Sequence, residues 1–397
     1  MVFLYRDDTN IQKFSVDLYW EDSAFYNTMI MNVNRWSLNA VKYNVQEINI
    51  VIDEFSFSPY EIPRRLLSCK SLRKLVIKVS CVAFAYVILP RSMNLPQLKV
   101  LILYGLSISK ELLFDGLLSS CPVLETLEIV DCVMQINDLR NSIIDSVSLK
   151  KFTYSCWLID EMDHSIKLCA PNLKIFNWTS FLIQDFSLEN CSSLSEVVLH
   201  WKPEEDGNTE AYSVLTSEKK EVYAKRMMQF LGAVNMVKAM KLSSGLLEVL
   251  SRVPDLSDCQ PPRLRNLQYL TLETWPARGC LRSIAFLLSI SPNIVEIYLE
   301  SKESNLADVG DNQEEAGLSL QGMLSHLKTV QIEEVVGCDA ELKILSFLLK
   351  NAMVLNKVAL FLRSGVHLPG RVEQIKQFKD KLRAVPTASS SIELVFH

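Results

Sequence analysis

Leucine-rich hexads return at Leu72, Leu98, Leu124, Leu149 and Leu173, with intervals of 26, 26, 25 and 24 residues. Each reads L-x-x-L-x-L or close to it, as in Leu98-Lys99-Val100-Leu101-Ile102-Leu103 and Leu124-Glu125-Thr126-Leu127-Glu128-Ile129. A fixed step of this kind marks a solenoid, and this hexad at a period of about 20–29 residues is the strand motif of the leucine-rich repeat. Seven further openers extend the pattern: Val45, Leu194, Val237, Leu267, Ile294, Leu327 and Leu355. A strand over 11–20 is expected before them, and another over 392–396 after them.

Within each hexad apolar residues alternate with others. In Leu267-Gln268-Tyr269-Leu270-Thr271-Leu272-Glu273, Leu270 and Leu272 are expected inward, with Tyr269, Thr271 and Glu273 in water. A doubly wound sheet is covered on both faces, and its strands read as continuous apolar runs. Alternation therefore selects an α/β leucine-rich-repeat solenoid, a horseshoe with parallel strands on its concave face. The connections are long enough for the crossover a parallel pair needs. Several carry a helical stripe, such as Leu112, Leu113, Leu117 and Leu118 before Pro122, and Ile284, Phe286, Leu287 and Leu288 before Pro292. Each repeat offers about four to six large apolar side chains, at about 1.5–3 kcal/mol apiece. That is too little to offset the chain entropy of one repeat alone.

Composition narrows the class. The net charge is −5 and hydrophobic residues make up 49% of the chain, so no basic field points to nucleic acid or to an anionic membrane as general partner. Arg6, Asp7 and Asp8 stand where a secretory leader would carry its apolar run. The longest apolar stretch, 79–89, is short of the ~20 residues that span a bilayer. The expected setting is cytoplasmic or nuclear. Cys69, Cys121, Cys169 and Cys191 lie three or four residues before strand openers, so they are expected as small buried hydrophobes at the turn from helix into strand. No C-x-x-C pair and no spaced histidine pair is present, so no metal and no cofactor are expected.

The rhythm breaks three times. Leu194 to Val237 spans 43 residues, with a polar acidic stretch at 203–208 and a helical run over 219–236. A second acidic insert covers 302–318. Then 340–353 and 355–362 read as a strongly apolar helix and strand. The segments Leu345-Ser346-Phe347-Leu348-Leu349-Lys350-Asn351-Ala352, Leu355-Asn356-Lys357-Val358 and Val385-Pro386-Thr387-Ala388-Ser389-Ser390-Ser391-Ile392-Glu393-Leu394-Val395-Phe396 resemble the FBD domain at the C-terminus of many plant F-box proteins. Asn34-Arg35-Trp36, Ala40-Val41 and Asn44-Val45-Gln46-Glu47-Ile48 resemble the lead-in to the repeats of that family. Leu117-Leu118-Ser119-Ser120-Cys121-Pro122-Val123-Leu124-Glu125 resembles its most characteristic repeat.

The resemblance implies five segments. These are a leading strand and helix (1–44), N-terminal repeats (45–202), a polar insert and helix (203–236), C-terminal repeats with an acidic loop (237–325), and an FBD domain (326–397). It further implies the substrate-recognition part of a Skp-cullin-F-box ubiquitin ligase. The adaptor-binding F-box of the family is not seen, since by Ile11-Gln12-Lys13-Phe14 the chain already resembles the region downstream of it. Direct docking on a Skp-type adaptor is therefore not expected. The alternatives are a scaffold or decoy without ligase recruitment, or a co-receptor that needs a small molecule.

Catalysis finds little footing. No phosphate-binding glycine loop follows a strand, and the five histidines show no motif spacing. Trp157, Trp178, Trp201 and Trp275 read as core and rim packing. A binding surface would instead come from the third, fifth and seventh positions of each strand. The candidates are Lys74, Lys78, Tyr104, Glu128 and Lys151 in the early repeats, then His200, Tyr269, Glu273, Glu296, Tyr298, Glu300 and Glu333 in the later ones. They grade from basic and apolar to acidic with tyrosines, and tyrosine suits recognition because it joins rigid area to a polar end. The partner expected is a protein of unknown identity, with no nucleic acid and no membrane.

Overall fold

The computed structural model describes residues 10–19, 26–54, 60–81, 87–88, 93–109, 117–135, 142–156, 165–181, 185–202, 216–251, 261–274, 280–301, 324–363 and 369–397. The expected acidic stretches at 203–208 and 302–318, the residues Leu112 and Leu113, and Trp157 and Trp275 lie outside them. The chain divides into two compact units, Met1–Ser193 and Leu194–His397.

The first unit runs β1 (Lys13–Tyr19), α1 (Tyr26–Lys42), β2 (Glu47–Glu54), β3 (Tyr60–Glu61), β4 (Lys74–Cys81), β5 (Val87–Ile88), β6 (Val100–Tyr104) and β7 (Ser107–Ser109). It continues through α2 (Leu117–Ser120), β8 (Thr126–Gln135), β9 (Ser142–Asp145), β10 (Lys151–Cys156), β11 (Ser165–Cys169), β12 (Ile175–Phe181) and β13 (Asp185–Glu189). Its main sheet is parallel in the order β1-β2-β4-β6-β8-β10-β12. The second unit runs β14 (Glu196–Lys202), α3 (Ser217–Ala233), β15 (Ala239–Leu242), α4 (Ser244–Leu250), β16 (Tyr269–Thr274), α5 (Leu281–Ile290) and β17 (Glu296–Ser301). It ends with β18 (Thr329–Val335), α6 (Asp339–Asn351), β19 (Lys357–Leu362), α7 (Pro369–Arg383) and β20 (Glu393–Phe396), and its strands lie side by side in chain order.

All twelve expected strands are present, and each begins two residues after its opener. The openers are the deepest residues of the turns: none of the twelve is more than 4% exposed. The next inward position stacks in register as Leu75, Leu101, Leu127, Phe152 and Phe176 in one unit, and as Met240, Leu270, Ile297, Val330 and Val358 in the other. Identical rows of aliphatic side chains bury one another strand by strand, which is how a unit too small to fold alone gains its core. Towards the end of the first unit the row turns aromatic. Tyr154 and Trp178 stack with ring centroids 4.3 Å apart, and Phe152 and Phe176 lie 6.1 Å apart. Trp178 is thus core, as its inward position predicts, and Trp201 is buried as well.

Side chains just before the openers tie one repeat to the preceding one. Ser71 and Ser148 donate to the carbonyls of Val45 and Leu124, both at 2.9 Å, and Asn172 and Asn293 donate to those of Val147 and Arg265, both at 2.7 Å. One glycine is required by geometry. Gly105 has φ +70°, and a Cβ there would fall on the carbonyl oxygen of Val79 in the neighbouring repeat.

The crossovers depart from expectation in the first unit. The returns through β9, β11 and β13 are short parallel strands forming their own sheet, and β3 pairs with β5. Among the described side chains of these strands, Ile144, Leu168 and Leu188 are buried and share one row. Apolar residues two apart, Ile166 and Leu168 in β11 and Phe186 and Leu188 in β13, follow the period of a strand rather than of a helix. Cys169 ends β11 and Cys191 follows β13, and both are only half-buried, whereas Cys69 and Cys121 sit fully buried after helical turns. Burial pushes the Cys121 thiol up to about 12.

In the second unit five crossovers carry helices, and the one between β17 and β18 falls largely outside the described residues. In α5 the residues Ile284, Ala285, Leu287 and Leu288 are buried, while Phe286 of the expected stripe is half-exposed. The helices expected over 219–236 and 340–353 appear as α3 and α6. The amphipathic α7 went unforeseen. It buries Ile375, Phe378 and Leu382 and packs on α6.

Candidate interaction surface

On the side of each main sheet opposite its buried rows, the outward strand positions line up in rows of their own. In the first unit one row reads Lys13, Glu47, Lys74, Val100, Thr126, Lys151 and Ile175, and another Ser15, Asn49, Val76, Ile102, Glu128, Thr153 and Asn177. Lys74 and Lys78 are exposed. Lys151 reaches Glu128 at 2.7 Å, and Asn177 donates to Thr153 at 3.2 Å. The Tyr104 hydroxyl donates to Asp131, and that hydrogen bond raises its pKa more than burial does. Asp131 also accepts from Ser155 at 3.3 Å. This face is thus tied by neighbour-to-neighbour polar contacts between repeats.

In the second unit the acids converge. Glu273, Glu300 and Glu333 lie side by side in register on β16, β17 and β18. Like charges directly opposite one another on adjacent strands are destabilising. Lys241 offsets this at the β16 side, with its Nζ 3.6 Å from both Glu273 and Glu300, and His200 Nδ1 lies 3.7 Å from Glu273. Tyr298 donates its hydroxyl to Glu333, and burial first and this bond second push its pKa upward. Tyr269 is exposed, and Glu296 is half-buried beside it in the same row.

Glu273 corrects the expectation of a solvated side chain. It is 3% exposed although it occupies an outward position, because His200 and Lys241 come in against it from the strands before it. Sequence reasoning overlooked Lys241. It occupies the fifth position after the Val237 opener, the position used elsewhere to pick out surface residues, so the repeat itself held the signal. Asn177 was also missed. Its Oδ1 is buried with no hydrogen-bond partner among the described residues.

Chemically these faces offer carboxylates, ammonium groups, phenols and apolar patches at fixed spacing. Among the described residues no group of His, Cys, Asp and Glu is placed to hold a metal. An open hollow of about 400 Å³ lies beside the strand starts of the second unit, lined by Lys238, Arg265, Gln268, Asn293 and His326 among others. No described helix is long and apolar enough to cross a membrane.

A parallel array with one apolar face and one outward face, repeated at a fixed step, defines a leucine-rich-repeat protein. Residues 33–207 match the family described as FBD-associated F-box protein At5g56370, LRR repeats, and residues 319–360 match FBD. The F-box/FBD/LRR-repeat protein At1g78750 of Arabidopsis thaliana is 25% identical over 98% of this chain and 80% of its own length. The FBD-associated F-box protein At4g13985 of the same plant is 26% identical over 99% of this chain and 81% of its own. The putative F-box/FBD/LRR-repeat protein At1g66290 reaches 29% over 83% of this chain and 67% of its own. By these matches the chain is similar to the plant F-box/FBD/LRR-repeat family. This is a protein-interaction family rather than a known class of enzyme.

Proposed function

We propose that this chain binds a protein partner through the outward faces of its strand arrays, as the substrate-recognition part of a Skp-cullin-F-box type ubiquitin ligase, in the cytoplasm or nucleus. The observation that carries the binding reading is the register. Lys74, Lys78, Tyr104, Glu128 and Lys151 share one sheet face, and Tyr269, Glu296, Tyr298, Glu300 and Glu333 share another, with Glu273 buried among them. Chemistry-bearing side chains held at strand spacing on a rigid sheet are preorganised for contact, which lowers the ordering cost of association. The F-box in the names of the relatives supports the ligase setting. The free thiols among the described cysteines fit a reducing compartment.

The test is affinity capture with quantitative mass spectrometry on the wild type and on a Glu296→Lys, Glu300→Lys variant. The variant is expected to fold normally and to lose or exchange partners, with a change of at least about ten-fold in the recovered amount. An unchanged partner set removes the acidic face from the proposal. Capture of a purified Skp-type adaptor by this chain would put it directly in a ligase, and absence of capture would favour action as a scaffold.

A further inference from the structure

The hollow of about 400 Å³ at the strand starts of the second unit has no part in the protein-binding reading. Its described lining holds two permanent cations, Lys238 and Arg265, a third basic group, His326, and no carboxylate, in a chain of net charge −5. All three basic residues are exposed. Neither Lys238 nor Arg265 forms an ion pair with a described residue. Lys241, three residues further along, is by contrast held 3.6 Å from both Glu273 and Glu300. His326 has its Nδ1 bonded to the Ser325 hydroxyl at 3.0 Å, which leaves Nε2 without a partner among the described residues.

The backbone beneath these groups is fixed. The amide of Gln268 donates to the carbonyl of Lys238 at 2.9 Å, that of Val295 to Gln268 at 2.9 Å and that of Lys328 to Val295 at 2.8 Å. The strand starts thus lie side by side at about 4.8 Å per step. Asn266 and Asn293 donate their side-chain amides back to the preceding repeat, to the carbonyls of Met236 at 3.4 Å and Arg265 at 2.7 Å. Lys238 and Arg265 therefore stand on adjacent repeats, and His326 stands two repeats beyond Arg265, about 10 Å away at that spacing. The volume is that of a small-molecule site, about 300–1,000 Å³. Val295 is the one aliphatic residue in the described lining, so an apolar ligand gains little there.

We infer that this hollow binds a small organic bisphosphate, with one phosphate between Lys238 and Arg265 and the other at His326. Two anionic ends are required because the basic groups stand in two places, and a single phosphate reaches only one of them. Phosphate is favoured over carboxylate by the approach of the donors. Lys238 and Arg265 come from different repeats, and a tetrahedral oxyanion accepts from several directions at once, whereas one guanidinium fork already satisfies a carboxylate. Single-stranded nucleic acid stacks its bases on aromatic side chains, and no Phe, Tyr or Trp is in the described lining. The assignment is independent of the protein-binding reading, since none of these residues belongs to the outward rows.

The test is isothermal titration calorimetry of the full chain with two probes, fructose 1,6-bisphosphate and 2,3-bisphosphoglycerate. At least one is expected to bind saturably and at least ten-fold more tightly than inorganic phosphate, with no heat from fructose. Raising salt from about 50 to about 300 mM is expected to weaken that binding. A Lys238→Ala, Arg265→Ala variant with an unchanged melting curve is expected to lose at least ten-fold in affinity, and His326→Ala to bind the bisphosphate no better than inorganic phosphate. Failure of both probes overturns the inference, as does equal affinity for inorganic phosphate or succinate, or unaltered affinity in the double variant. Tighter binding of a phosphoserine peptide, a 20-nucleotide RNA or vesicles containing a phosphoinositide overturns it too. If both probes fail while the Glu296→Lys, Glu300→Lys variant still loses captured partners, only the bisphosphate assignment falls.

Discussion

Leu127 shows what a single residue carries in this architecture. It is 1% exposed and stands in register between Leu101 and Phe152, so its side chain touches the repeats on both sides. Leu127→Asp would put a carboxyl group into that row with no partner, costing at least about 4 kcal/mol. The expected outcome is a clear loss of thermal stability by circular dichroism, and an unchanged melting curve would remove Leu127 from the core. Its burial was legible from the hexad alone. That of Glu273 was not: alternation correctly put it on the outward face, but whether an outward carboxylate meets water depends on neighbours about 70 and 30 residues earlier, His200 and Lys241. A period-two pattern reports direction and is silent about what reaches over from the next strand.

Among the elements, α6 shows how a helix is anchored where the FBD match lies. Glu341 is 4% exposed in the first turn of the helix. Its Oε2 accepts from the amides of Gly337 at 2.7 Å and Cys338 at 3.1 Å, and its Oε1 from Val336 at 3.1 Å and the Ser301 hydroxyl at 2.9 Å. Four donors on one carboxylate satisfy the buried charge and tie the helix start to β17 of the preceding repeat. Glu341→Gln keeps the shape but turns one acceptor into a donor facing donors. We expect a loss of about 2–4 kcal/mol, measured by urea denaturation, with hydrogen exchange rising first at the amides of Val336, Gly337 and Cys338. The return strands β9, β11 and β13 were the elements hardest to foresee. Their few apolar residues fit strand and loop equally well, and pairing with the same segment of the adjacent repeat decided between them.

At the scale of the whole molecule, each unit is stabilised by contact between successive repeats. Removing 369–397 deletes α7, with buried Ile375, Phe378 and Leu382, and strips β20 from β19. Three buried side chains alone account for about 5–9 kcal/mol of lost burial. The shortened chain is expected to melt at markedly lower temperature and to aggregate through the bared edge of β19, as light scattering would show. A cooperative, unshifted transition would mean that residues 369–397 stabilise nothing beyond themselves. The hexad period determined by itself the class of fold, the twelve strands and the direction of every side chain upon them, because those depend on local alternation and on a step that repeats. Only the tertiary structure decided which crossovers became strands, that Glu273 lies buried beneath Lys241 and His200, and that cations from separate repeats line one hollow. Each of these follows from side-by-side register between distant segments, a relation that no local pattern encodes.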